Sequence, residues 1–333
     1  MKALTFKRYG KSPGIGFADV LRPIPKADEL LVQVHAASVN PIDNMIPTGI
    51  FKAVVKFQLP ATLGSDLAGV VVEVGSRVTR FKVGDAVFAN IFDQGTGSIA
   101  EFAVVPESAA ALKPDNLDFV QAASIPMVGL TSWQALKERF RLQSGQKVFI
   151  PAGSGGIGTF AIQLAKLMGA QVGTTTSTGN VELVRSLGAD EVVDYKKQEF
   201  EAVLRGYDAV LGTVRGDSIE KAIGILKARG KIVSLVGPLD VAFARARRLN
   251  FILTFVFALM SRKIMRLARK RNVDYAFLFA RPDGDELAQI GKLLEVQSIR
   301  PVIDRVFAFE QAREALAYLA EGRSRGKVVV QMR

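Results

Sequence analysis

The 333-residue chain has no cysteine and a single histidine, His35. That excludes disulfides, together with the thiolate and imidazole clusters that most zinc sites need. Proline is sparse, at 13 residues, and no low-complexity stretch breaks the sequence, so the composition is that of a globular chain. Residues 1–9 alternate like a strand and lack the apolar core of a secretory signal, so a cytoplasmic location is expected. Acidic residues are missing from one region in particular. Residues 241–273 hold nine Lys or Arg and no Asp or Glu, so most of the net charge of +12 lies there. Such a segment attracts phosphates, anionic membrane surfaces or nucleic acid.

Against these absences, 49% of the residues are hydrophobic and 23% charged, enough apolar surface for a sizeable core. The length exceeds what one core usually organises, so two domains are expected. Up to about residue 120, short valine-rich strands (29–36, 68–74, 85–89 and 99–105) are separated by turns such as Gly75-Ser76 and Val83-Gly84-Asp85. That pattern predicts an all-β, barrel-like domain. Beyond Pro126 the pattern changes. An amphipathic helix over 131–139 precedes strands at 147–152, 171–176, 191–194, 209–212, 231–236 and 275–280, with helices between several of them. Alternation of this kind predicts a doubly wound parallel sheet. A helix over 285–295, a strand over 302–307, a further helix to about 320 and a strand over 326–331 close the chain.

Residues 147–170 read KVFIPAGSGGIGTFAIQLAKLMGA. Gly153, Gly155 and Gly158 form G-x-G-x-x-G between a predicted strand and a predicted helix, where a tight turn, close approach to a pyrophosphate and close helix packing are each required. The free N–H groups of Gly156 and Ile157 and the helix dipole then supply an anion site without a lysine. Gly153, Ser154, Gly155, Gly156, Ile157 and Gly158 are therefore candidate cofactor contacts. A plain glycine turn is the competing explanation, and the surrounding β-α-β pattern argues against it. An NAD site places Asp or Glu at the end of the second strand. This chain has Thr174-Thr175-Thr176-Ser177 there, and hydroxyls tolerate a 2′-phosphate that a carboxylate would repel, so NADPH is expected.

Several blocks then add up. Ser38-Val39-Asn40-Pro41-Ile42-Asp43, Leu63-Gly64-Ser65-Asp66-Leu67-Ala68-Gly69, Val83-Gly84-Asp85, Gly129-Leu130-Thr131, the glycine loop and Leu187-Gly188-Ala189-Asp190 resemble, in order and spacing, the zinc-free quinone oxidoreductase branch of the medium-chain dehydrogenase/reductase superfamily. Zinc-dependent members carry a cysteine where Asn40 stands and a histidine where Ser65 stands. The resemblance implies an α/β architecture: a GroES-like, β-barrel-type catalytic domain (residues 1–122), an NADP-binding Rossmann domain (123–284) and a C-terminal return to the catalytic domain (285–333). It also implies a homodimer and no zinc.

Carried over by position, Asn40 and Thr131 are the catalytic candidates beside the nicotinamide. Ser177 and Tyr195 flank the adenosine 2′-phosphate, and Val236 and Phe279, at the ends of later strands, complete the cofactor contacts. Two departures stand out. Relatives often carry Lys or Arg just after Ser177, where this chain has Thr178-Gly179-Asn180-Val181, and Arg185 could substitute only if the intervening loop folded back. Tyrosines that often line the substrate site are here Met45 and Phe51.

The implied reaction is hydride transfer from NADPH to a quinone or α,β-unsaturated carbonyl compound, with positioning and cofactor chemistry dominant and the proton taken from water. An alkenal or enone reductase needs the same geometry as a quinone reductase and stays open. So does a cofactor-binding regulatory or RNA-binding protein, although aromatic residues embedded in an apolar run fit base stacking poorly. His35 is assigned no role, Asp43 a capping role in the turn after Asn40, and Asp66 a structural one. Residues 251–260 are apolar nearly all round, too few for the roughly 20 needed to cross a bilayer. Beyond them Arg262, Arg266 and Arg269 recur at helical spacing, so this helix either covers the substrate cleft or the subunit interface with its apolar part and leaves the arginines in solvent, or lies on an anionic membrane.

Overall fold

The computed structural model describes every residue except Lys56. The chain divides into two compact units, one of Met1–Leu130 with Arg281–Arg333 and one of Thr131–Ala280.

The first unit is organised by the 11-residue strand Glu29–Val39. It pairs antiparallel with Asp66–Val74 along one whole edge. A strand has only two edges, so the other is shared: Phe102–Pro106 takes residues 29–33 and Lys327–Gln331 takes residues 36–39. Register shifts at Leu31/Val32 and Val34/Ala36 bend the strand between its partners, as bulges do at barrel corners. The bend is tight. A Cβ on Gly69 would stand 2.0 Å from the Gln33 carbonyl oxygen, so only glycine fits. Ala86–Asn90 and Ala110–Leu112 extend the sheet on one side, and Ile303–Ala308 flanks Lys327–Gln331 on the other. A second sheet of Gly16–Asp19, Lys2–Phe6 and Ala61–Thr62 lies beside it in sequence order 2-1-4. The helix Gly284–Glu295, capped by Asp283 through the N–H groups of Asp285 and Glu286, buries Leu287, Ile290 and Leu294.

The second unit is a six-stranded sheet, parallel throughout, in the spatial order Glu191–Asp194, Gln171–Thr176, Lys147–Ile150, Tyr207–Gly212, Leu226–Ser234, Asp274–Phe277. Counted within the unit this is 3-2-1-4-5-6, the Rossmann order. Its strands are valine- and isoleucine-rich because both faces are covered. Phe149, Tyr207, Val210, Ile223, Ile232 and Tyr275 form a core to which the helix Phe251–Lys270 contributes Ile264 and Ala268. The helix expected over 131–139 runs instead over Pro126–Trp133 and then widens into a π-helical stretch, Gln134–Phe140, ended by Arg141 at φ 52°. Proline near a helix start is pre-set for φ, and amphipathic spacing alone does not report that start. The strand expected at 231–236 begins at Leu226 and ends at Ser234.

Candidate active site

In the second unit the loop after Lys147–Ile150 is drawn tight. Ala152 takes a left-handed φ of 54°. A Cβ on Gly153 would meet Thr174 Oγ1 at 2.2 Å, and one on Gly158 would meet the Ala152 carbonyl oxygen at 2.4 Å, so helix and loop touch where glycine alone permits it. Gly155 differs: apart from the Ala152 oxygen at 3.3 Å nothing crowds it, which leaves its face open to a phosphate. It caps the helix Gly156–Leu167, whose first N–H groups and dipole favour an anion. Ala152 N donates to Thr175 Oγ1 (3.0 Å) and Gly153 N to the Thr175 carbonyl (2.9 Å), tying the loop to the second strand.

At that strand's end lies a cluster of hydroxyls. Thr176 Oγ1 donates to Ser154 Oγ (3.0 Å), and Asn180 Nδ2 reaches Ser154 Oγ and Ser177 Oγ at 3.2 Å each. Asn180 Oδ1 is buried with no hydrogen-bond partner, so its amide group retains capacity for a ligand. Tyr195 is 60% exposed next to Asp194. The Asp194 carboxylate is held below its ordinary range, first by the Thr178 hydroxyl (2.6 Å), and it also accepts from Lys196 N. Val236 follows the fifth strand, its N–H bound to Ser234 Oγ, and Phe279 follows the sixth, packed edge-on to Phe243 at 5.3 Å. In a parallel sheet every strand's C-terminal end lies on one edge. The structure thus brings the glycine loop, Ser177, Tyr195, Val236 and Phe279 to that edge. Asn180 was missed at the sequence level; its one signal was its place in the loop where a cation was expected. Thr131 is buried in the helix Pro126–Trp133.

Asn40 belongs to the first unit, where it is 4% exposed within a buried polar network. It precedes the short helix Pro41–Met45, and its N–H donates to Asp43 Oδ2 at 2.7 Å, so Asp43 does cap that turn. Asp43 Oδ1 accepts from Ser65 Oγ at 2.5 Å. Asn40 Nδ2 donates to Asp66 Oδ2 (2.9 Å), while Asn40 Oδ1 accepts from Lys327 Nζ (2.6 Å). Asp66 also accepts from Ser38 Oγ, Asn90 Nδ2, Met127 N and Lys327 Nζ, at 2.8–3.3 Å. A cation at the Asn40 amide oxygen and a carboxylate at its amide nitrogen leave the amide one orientation.

Two carboxyls and one ammonium are enclosed together, and the charges can balance only if one carboxyl keeps its proton. Asp66, with five donors, is the charged one. Burial pushes the Asp43 carboxyl up to about 7, and the charge of Asp66 adds to the effect; the Ser65 hydroxyl and the Asn40 N–H pull it back. Burial likewise lowers Lys327, against the pull of Asp66 and Asp43. Lys327 was not singled out from the sequence. Its signal was a lysine opening a run of valines, Gly326-Lys327-Val328-Val329-Val330. Gly326 (φ 96°), where a Cβ would fall 2.2 Å from the Val302 carbonyl oxygen, sets the lysine at the strand's entry. His35 stacks on Phe119, 4.2 Å between centroids, as a packing residue.

Residues 26–115 match the family described as the alcohol dehydrogenase GroES-like domain, and residues 187–330 match the one described as zinc-binding dehydrogenase. An NADPH-dependent alkenal/one oxidoreductase of the chloroplast of Arabidopsis thaliana is 35% identical, covering 99% of this chain and 79% of its own. The mitochondrial NAD(P)H oxidoreductase RTN4IP1 of Danio rerio is 34% identical, covering 99% and 91%. The structure of a quinone oxidoreductase from Coxiella burnetii superposes with a TM-score of 0.86 at 32% identity, covering 100% of this chain and 99% of that one. Fold, glycine cradle and full-length relatives define an oxidoreductase with a GroES-like domain and a Rossmann sheet. The chain belongs to the zinc-free quinone oxidoreductase branch of the medium-chain dehydrogenase/reductase superfamily.

Proposed function

We propose that the protein reduces a quinone or an α,β-unsaturated carbonyl compound with NADPH, without zinc, as a cytoplasmic homodimer. The catalytic role falls to the GroES-like part, residues 1–122 and 285–333, and cofactor binding to residues 123–284. The bound nicotinamide supplies the hydride. Gly155, Gly156 and Ile157 hold the pyrophosphate, Ser177 and Tyr195 with Asn180 surround the 2′-phosphate, Val236 and Phe279 line the remaining cofactor path, and the nicotinamide roles fall to Asn40 and to Thr131.

The observation that carries the reading is the fixed Asn40 amide. One of its two amide hydrogens is committed to Asp66. The other is available to an oxygen that gains negative charge as hydride arrives at carbon. A preorganised donor of this kind costs no reorganisation during the reaction, and the enolate or hydroquinone oxygen then takes a proton from water. The second strand itself ends in hydroxyls where an NAD site places a carboxylate, which supports NADPH over NADH, and the neighbouring Asp194 carboxylate is engaged by Thr178 and Lys196 N. The relatives' names include both an alkenal/one and a quinone reductase, so substrate choice rests on an assay. The purified protein is tested for NADPH oxidation against an ortho-quinone, a para-quinone, an alkenal and a saturated aldehyde, with NADH as control. Turnover of a quinone or the alkenal with NADPH preferred, and none of the aldehyde, supports the proposal. Silence across the panel despite tight NADPH binding sinks it in favour of a regulatory protein.

A further inference from the structure

The helix Phe251–Lys270 has two faces that do different things. Phe257, Ser261, Ile264 and Ala268 recur every three or four residues and are buried, which docks the helix on its own unit. Phe251, Ile252, Phe255 and Leu259 are 81%, 58%, 63% and 53% exposed. At 3.6 residues per turn, Phe251, Phe255, Arg262, Arg266 and Arg269 fall within roughly 60° of one another. One outward face therefore runs from about 12 Å of apolar side chains into about 12 Å of cations. Lys263 is paired with Glu220 at 2.8 Å. Among the described residues no carboxylate pairs with Arg262, Arg266 or Arg269, all of which are exposed.

Contiguous apolar surface of this kind marks an interaction site, and the charge beside it selects the partner. A second copy would bring nine further cations and no anion from residues 241–273, so self-association through this face sets like charges together. A surface that is at once apolar and negatively charged answers both halves of the helix. No described helix is long and apolar enough to cross a membrane, which leaves peripheral contact. We propose that this face docks the protein on an anionic lipid surface. Phe251, Ile252, Phe255 and Leu259 enter the acyl boundary, and Arg262, Arg266, Arg269 and Lys270 rest against the headgroup phosphates.

The test uses the full chain and vesicles of phosphatidylcholine alone or mixed with phosphatidylserine, read by co-sedimentation at low and high salt. The wild type sediments with the mixed vesicles at low salt, is released by high salt, and stays in solution with phosphatidylcholine alone. Arg262→Gln/Arg266→Gln/Arg269→Gln loses roughly a hundredfold in vesicle affinity, and Phe251→Ser/Phe255→Ser/Leu259→Ser loses at least about tenfold. These side chains are exposed, so both variants keep the wild-type melting temperature. Absence of binding at low salt, equal binding to the neutral vesicles, or wild-type binding by either variant overturns the proposal. Sedimentation velocity without lipid supplies an independent outcome: dissociation of a dimer by the serine variant assigns the face to a second copy and overturns it as well.

Discussion

Lys327 touches Asn40, Asp66 and the Val39 carbonyl at once, so its removal leaves Asp66 charged and enclosed. Breaking a buried pair from one side costs about 3–5 kcal/mol, whereas replacing both partners can be nearly neutral. Lys327→Met is expected to lose that amount in urea unfolding, and Lys327→Met/Asp66→Asn to recover a large part of it. A double variant no more stable than the single one would show that the ammonium does not pair with this carboxylate. Asp43 supplies a pH signature. An unfolded aspartate ionises near 3.8, while the folded one keeps its proton up to about 7. Between those values the unfolded chain has released a proton that the folded chain retains. This group's contribution to stability therefore falls as pH rises from about 4 to about 7, and the penalty is complete above that. Asp43→Asn abolishes the ionisation, keeps one oxygen to accept from the Asn40 N–H, and turns its amide N–H to the Ser65 hydroxyl, which can accept as well as donate. Its melting temperature should fall less than that of the wild type between about pH 4 and pH 8, and parallel curves would place the proton elsewhere.

Among the elements, the strand–loop–helix at Lys147–Leu167 was legible because the glycines are fixed by sterics within one short stretch. The hydroxyl end of Gln171–Thr176 was legible for the same local reason. Lys327 was not, because its partners lie 287 and 261 residues away and pairing across a sheet leaves no local pattern. The start of the helix Pro126–Trp133 was hidden by amphipathic spacing that began five residues later. A test at this scale is Gly158→Ala. Its Cβ would meet a backbone oxygen at 2.4 Å that no side-chain rotation relieves, so the loop must open. NADPH affinity is expected to drop at least about tenfold, with far-UV circular dichroism retained; unchanged affinity would separate the loop from the cofactor. Ser177→Glu probes the strand end, placing a carboxylate where NAD enzymes hold one. The ratio of kcat/KM for NADPH over NADH is expected to fall by at least about tenfold, and an unaltered ratio would remove Ser177 from the 2′ site.

For the molecule as a whole, charge placement and the absence of metal-binding residue types point the same way. A zinc ion in the first unit would need thiolate and imidazole donors that a chain without cysteine, and with His35 stacked on Phe119, does not possess. The position of a zinc enzyme's cysteine is held by Asn40, and a full positive charge already stands 2.6 Å from it on Lys327. A divalent cation entering there would meet that ammonium as a like charge, and the Asp66 carboxylate beside it is already paired with the ammonium and occupied by four further donors. Lys327 thus orients the Asn40 amide and places a cation where Asn40 and Asp66 meet. Exhaustive dialysis against a chelator is therefore expected to leave both NADPH-dependent turnover and the melting temperature unchanged, with zinc well below one equivalent by elemental analysis. Stoichiometric zinc whose removal abolishes turnover would overturn the reading of Lys327 as the charge of this site.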